Sequence, residues 1–119
     1  MSAKPILSGL IFSTALFSAT TFAATAGLVA NVTTVMVAND GNFGGCMALL
    51  SVDPQSVLPA CGGGWVTFSC TGDFGDQTLA YRSLDQAQLA LASGKSIYVT
   101  IDDSKRHNGY CFANRIDVF

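Results

Sequence analysis

Positive charge is scarce in this chain. Six Lys and Arg face eight acids, and every acid is an aspartate. With Lys4 assigned to a leader, Arg82, Lys95, Lys105, Arg106 and Arg115 remain, and the net charge falls to −3. Nucleic-acid binders carry a basic stripe because phosphate neutralisation supplies most of their affinity. Only the pair Lys105 and Arg106 approaches one, so that class of partner is excluded. No Cys-x-x-Cys occurs, which argues against a zinc knuckle and against a redox pair. Gly62 to Gly64 lack the following Lys and helix of a phosphate cradle. Beyond the leader, no apolar run reaches the roughly 20 residues that span a bilayer, so no membrane insertion is expected after cleavage. Internal repeats and low-complexity segments are also missing. No metal or other cofactor is expected.

The start of the chain reads as an export signal. Met1 to Lys4 is short and positive, Ile6 to Phe17 is apolar, and small residues follow. Thr21 and Ala23 occupy the minus-three and minus-one positions of one cleavage site, and a second follows Ala26. The expected division is a signal peptide over 1–23 and a single domain over 24–119, secreted or periplasmic. A domain of about 95 residues has a modest core, which makes covalent staples useful in an oxidising compartment.

The periodicity then predicts five strands and one helix. Leu28 to Ala38 is rich in β-branched residues, and Asn39 to Asn42 is a turn. Phe43 to Ser51 forms the second strand, Val52 to Gly64 a loop, and Trp65 to Cys70 the third strand. From Asp76 to Ser93 the period changes, and Ala80, Leu84, Ala87 and Leu91 make an amphipathic stripe. Asp76 or Thr78 can cap its start, and Gly94 suits its end. Lys95 to Asp102 and Tyr110 to Phe119 complete the set, around a polar loop at 103–109. Their expected inward residues are Ile97, Val99, Ile101, Phe112, Ile116 and Val118. The order β-β-β-α-β-β is that of a mainly β, five-stranded OB-like barrel with one helix. The alternative is an open mixed α+β sheet with one helix; closure is favoured because it removes exposed edge strands.

Cys46, Cys61, Cys70 and Cys111 allow three pairings. An antiparallel hairpin of strands two and three brings Cys46 near Cys70 on a shared face. Cys61 precedes strand three and Cys111 begins strand five, which neighbour one another in an OB barrel. The expected disulfides are therefore Cys46–Cys70 and Cys61–Cys111.

Candidate site residues lie in the loops joining strands one–two and four–five, where OB barrels bind ligands. They are Asn39, Asp40, Asn42 and Phe43 in the first, and Asp103, Lys105, Arg106, His107 and Tyr110 in and after the second. Amides and carboxylates beside aromatic rings suit the hydroxyls and apolar face of a sugar. Asp102, Ser104 and His107 contain the residue types of a hydrolase triad, but neighbours in one turn do not converge as a triad requires. No catalytic residue is expected. Asn39, Asp40 and Asn42 are too few for a calcium loop. The sequon Asn31-Val32-Thr33 falls inside a strand, and we read it as chance.

The Cys-bearing hairpin, the helix segment Leu84-Asp85-Gln86-Ala87 and the stretch Ser93-Gly94-Lys95-Ser96 resemble the B subunits of subtilase-type cytotoxins. That resemblance implies an OB fold, assembly of several copies and binding of sialylated glycans. The serine of that family's glycan pocket has no counterpart near the start of strand one, so no site residue carries over. Residues 102–112 also resemble a group of small exported bacterial proteins. Together these readings lead to an exported, non-enzymatic binding module with a glycan as candidate ligand and a homo-oligomer as candidate assembly. The alternative is a structural or inhibitory protein that binds another protein.

Overall fold

The computed structural model describes residues 23–119 and the single positions 3 and 9; the expected leader over 1–23 otherwise lies outside the described residues. The described chain is mainly β, with five strands, one α-helix and two disulfides. The first strand, β1 (Thr25–Val37), is long because nothing in LVANVTTVMV breaks it, and it buries Leu28, Ala30 and Val32 on one face. Its first half pairs antiparallel with β4 (Ser96–His107), from Thr25 opposite Asp102 to Asn31 opposite Ser96. Its second half pairs with β2 (Cys46–Leu50), ending with Val37 opposite Cys46. β2 pairs with β3 (Trp65–Thr67), β3 runs parallel to β5 (Tyr110–Val118), and β5 pairs with β4. The hydrogen-bonded order β1-β2-β3-β5-β4 thus returns to its starting strand.

Ile97, Val99 and Ile101 are wholly buried inside this circuit, together with Ala48, Val66 and Phe68. The helix α1 (Gln77–Ser93) packs mainly on β1 and β5. Asp76 caps it by accepting the Thr78 N–H at 2.9 Å, and Gly94 ends it with a φ of 67°. Among the described residues, no helix is long and apolar enough to cross a membrane.

Three local expectations are corrected. The helix buries Ala80, Ser83, Ala87 and Ala90, while Leu91 is exposed. Hydrophobicity passed over Ser83, whose hydroxyl donates to the Leu79 carbonyl of its own helix and needs no outside partner. In β5, Cys111 and Ala113 point inward and Phe112 does not; a register shift moves the inward parity to Ile116 and Val118. The polar loop at 103–109 is mostly strand. β4 runs to His107, residues 103–105 bulge out of the ladder, and the turn is only Asn108 and Gly109. Both turn residues have positive φ (50° and 86°), as a tight two-residue hairpin requires.

The disulfides join Cys46 to Cys70 and Cys61 to Cys111, with Cα separations of 5.6 and 5.3 Å. They are compatible with an extracellular or periplasmic location. The first ties β2 to the segment after β3. The second ties the β2–β3 loop to β5 where β3 and β5 share one paired position, Thr67 with Phe112. Chain entropy assigns the longer, 50-residue closure about 4 kcal/mol and the 24-residue closure about 3.5. Replacing Cys61 and Cys111 together by Ala should therefore lower the urea midpoint at least as much as replacing Cys46 and Cys70. Equilibrium unfolding followed by tryptophan fluorescence of Trp65 checks this; a smaller effect for the longer closure would contradict it.

Candidate functional site

Where β1 leaves the sheet, the chain must reverse within the eight residues 38–45 to enter β2. Asp40 starts the reversal by accepting the Asn42 N–H at 2.9 Å, which nucleates a single 3₁₀ turn at Gly41–Phe43. Gly44 and Gly45, with φ of 74° and 81°, finish it. The result is a ledge facing the first turns of α1. Between them lies a cleft of about 340 Å³, lined by Val37, Asn39, Asp40, Thr71, Gln77 and Tyr81 among others. Cys46 and Cys70 also border it.

Its chemistry is one-sided. Tyr81 is 49 % exposed, so its ring is open to a ligand. Gln77 donates its amide nitrogen to the Cys70 carbonyl at 2.9 Å. Asp40 uses one carboxylate oxygen for the Asn42 N–H. The other Asp40 oxygen, the Gln77 carbonyl and the Asn39 amide have no side-chain partner among the described residues. No Lys or Arg lines the cleft. An anion would meet a carboxylate there with nothing to neutralise it.

The remaining sequence-derived candidates separate. Asn39 and Asp40 line the cleft, and Asn42 and Phe43 form the turn behind it. The Phe43 ring packs against Tyr110 with centroids 6.2 Å apart. Asp103 accepts the Ala24 N–H at 2.9 Å, and Arg106 donates to the Ala60 carbonyl at 2.9 Å. Those two side chains fasten distant segments. Lys105 is exposed on the bulge. Thr71, Gln77 and Tyr81 are not among the candidates that the sequence pattern points to. Tyr81 had one signal: an aromatic residue beside, not on, the apolar stripe of a helix.

His107 is buried at a second constellation. Its Nε2 lies 3.0 Å from the Ser69 Oγ and 3.7 Å from Asp73 Oδ2, and the Phe74 ring stacks on it at 4.4 Å. Ser69 has a φ of 56°, an uncommon value for a side-chain-bearing residue. The serine that meets this histidine thus comes from a segment 38 residues away, and Ser104 instead bonds to Asp102 beside it. The arrangement is not that of a Ser-His-Asp triad. Ser69 is 1 % exposed, and Asp73 approaches the same ring nitrogen as the serine, whereas a triad carboxylate holds the opposite one. Burial pulls the His107 pKa below its usual 6.5, and Asp73 opposes that shift.

Comparison of the chain with protein-family models, with curated proteins and with solved structures finds no match in any of the three.

Gly44 joins the two constellations. A Cβ placed there would lie 2.5 Å from the His107 ring and 2.6 Å from the Thr67 hydroxyl. Its left-handed backbone alone would cost an L-residue about 1–2 kcal/mol. Gly44→Ala should destabilise the domain by at least that amount, measured as a fall in thermal midpoint. Gly41→Ala, where nothing lies within 4 Å, should move it far less; equal effects would show that the contact is unimportant.

Proposed function

We propose that the chain is an exported, non-enzymatic binding module with an OB-like barrel fold, and that it takes a neutral carbohydrate in the cleft between the β1–β2 turn and α1. One observation carries this reading. An exposed Tyr81 ring stands beside the Asn39 amide, the Asp40 carboxylate and the Gln77 carbonyl, without a basic residue. A ring takes the apolar C–H face of a sugar, and the amide and carboxylate take its hydroxyls. The missing cation disfavours sialylated ligands, which the toxin resemblance alone would have implied. The strand order and the position of the helix between β3 and β4 support the OB assignment. The burial of Ser69 supports a non-catalytic role.

Export to the periplasm or beyond fits the leader and the two disulfides. Processing after Ala23 would keep Ala24, whose N–H meets Asp103 and whose carbonyl accepts the Asp103 N–H at 3.0 Å. Processing after Ala26 would remove those bonds and the pairs Thr25–Asp102 and Ala26–Ile101. The intact mass of the exported protein should therefore correspond to a chain beginning at Ala24; a start at Gly27 would contradict this.

A second reading has its own observation. Leu79, Leu89 and Phe119 are more than half exposed along the α1–β5 side, which suits a protein partner or another copy of the chain. A glycan array followed by calorimetry separates the two. Neutral glycans should bind, sialylated ones more weakly, and Tyr81→Ala should weaken binding about tenfold, or 1.4 kcal/mol. Absence of glycan binding, with self-association by light scattering that Leu89→Ser abolishes, would favour the second reading.

A further inference from the structure

Ser69 accepts the Phe74 N–H at 3.3 Å, and among the described residues its own proton has no acceptor besides His107 Nε2. The Ser69 N–H in turn donates to Thr67 Oγ1 at 3.1 Å, and the Thr67 hydroxyl donates to the Phe43 carbonyl at 3.0 Å. Every link is satisfied if the Ser69 hydroxyl donates to His107 Nε2 and the ring carries its proton on Nδ1. This neutral ring therefore holds the segment from Ser69 to Asp76 against the ends of β2 and β4. The same segment supplies Thr71 to the cleft and Asp76 to the N-cap of α1, just before Gln77 and Tyr81.

Protonation reverses the central bond. Nε2 becomes a donor, and the Ser69 hydroxyl, 1 % exposed, loses its acceptor. Meanwhile Asp73, at 3.7 Å and already accepting the Thr71 hydroxyl at 2.7 Å, gains a cation to approach. Around His107 the charged and titratable groups are few among the described residues. Asp73 comes from the β3–α1 segment, Tyr110 faces it from β5, and Lys105 and Arg106 flank it on β4. Gly44, just before β2, lies against the ring, and a Cβ there would meet both the ring and the uncharged Thr67 hydroxyl.

We propose that His107 is a proton-operated latch: neutral, it clamps the Ser69–Asp76 segment, which the Cys46–Cys70 disulfide anchors at one point, and keeps the cleft wall in place; its protonation loosens that wall and weakens ligand binding. The latch rests on the cleft being the binding site only for the ligand half of this statement. Because the pKa of His107 is lowered in the folded chain, the clamp is fully formed above 6.5 and is lost as pH falls through the folded-state value. The device would let a ligand taken up at neutral pH be dropped in an acidic compartment.

The test is an NMR titration of the oxidised protein from pH 8 to 5 without ligand. The amides of Thr71, Phe74, Gln77 and Tyr81 should move with a single midpoint, below 6.5 and shared with the His107 ring protons. His107→Gln retains an acceptor for Ser69 but cannot titrate in this range, and should remove that midpoint. Asp73→Asn is a surface change, 58 % exposed at Asp73, and should lower the midpoint further because the residue that raises it is gone. Amides that stay still while His107 titrates, or a midpoint unmoved by Asp73→Asn, would overturn the latch. Calorimetry with methyl β-galactoside and methyl α-mannoside at pH 7.5 and 5 then tests the ligand half. Binding should weaken about tenfold if the closed form falls to about a tenth, whereas equal affinity at both pH values would overturn the coupling. If neither glycoside binds at pH 7.5, the carbohydrate reading fails, and the amide titration still decides the latch.

Discussion

β1 belongs to two neighbours at once, and the rest of the structure depends on that. Its first seven residues are paired with β4 and its remainder with β2, with the register shifting between Val32 and Thr34 where one partnership passes to the other. A single strand that spans both pairings makes the sheet continuous, so neither β2 nor β4 is left with an open edge along β1. Closure also fixes what is inside. Leu28, Ala30 and Val32 from β1 lie beside Ile97, Val99 and Ile101 of the neighbouring β4 in one apolar core. The weakest link in the circuit is β3, three residues long and paired with β5 at one position. Both disulfides lie beside that link, one on each side of β3, where covalent bonds replace ladder hydrogen bonds that the chain does not make.

The short β3 also explains the polar chemistry next to it. After Thr67 the backbone leaves the ladder, turns through the left-handed Ser69, and must satisfy its groups without a partner strand. Thr67, Ser69 and His107 supply the missing bonds as a buried chain of side-chain contacts. Because one member is a histidine, the segment that carries the cleft wall is held by a bond that a proton can reverse. The scaffold and the candidate site therefore meet at Gly44, which only a glycine can occupy beside the His107 ring.

Much of the frame was legible from local pattern. The number and order of elements, the helix limits with Asp76 and Gly94, and the two cysteine pairings all follow from alternation, capping and strand order. Errors gathered where a neighbour overrode the pattern. Residues 103–109 look like a loop by polarity, yet β5 draws Arg106 and His107 into the ladder beyond a bulge at 103–105 and leaves only Asn108 and Gly109 to turn. Phe112 shares the parity of Ile116 and Val118, but a bulge between them turns it outward, and Ser83 is buried because it carries its own hydrogen-bond partner.

The division is physical. Backbone preferences and side-chain period act between residues close in the chain, so the sequence by itself determined a β-rich, disulfide-bonded domain, poor in positive charge, with one capped helix. What Tyr81, Gln77 and Asp40 share is a space between two elements some 40 residues apart, and what Ser69 and His107 share is a bond across 38 residues. Neither has a local signature, since convergence depends on where closure brings each element. Only the tertiary structure decided that the chain's one histidine is a buried clamp, and that the open aromatic surface lies on the helix.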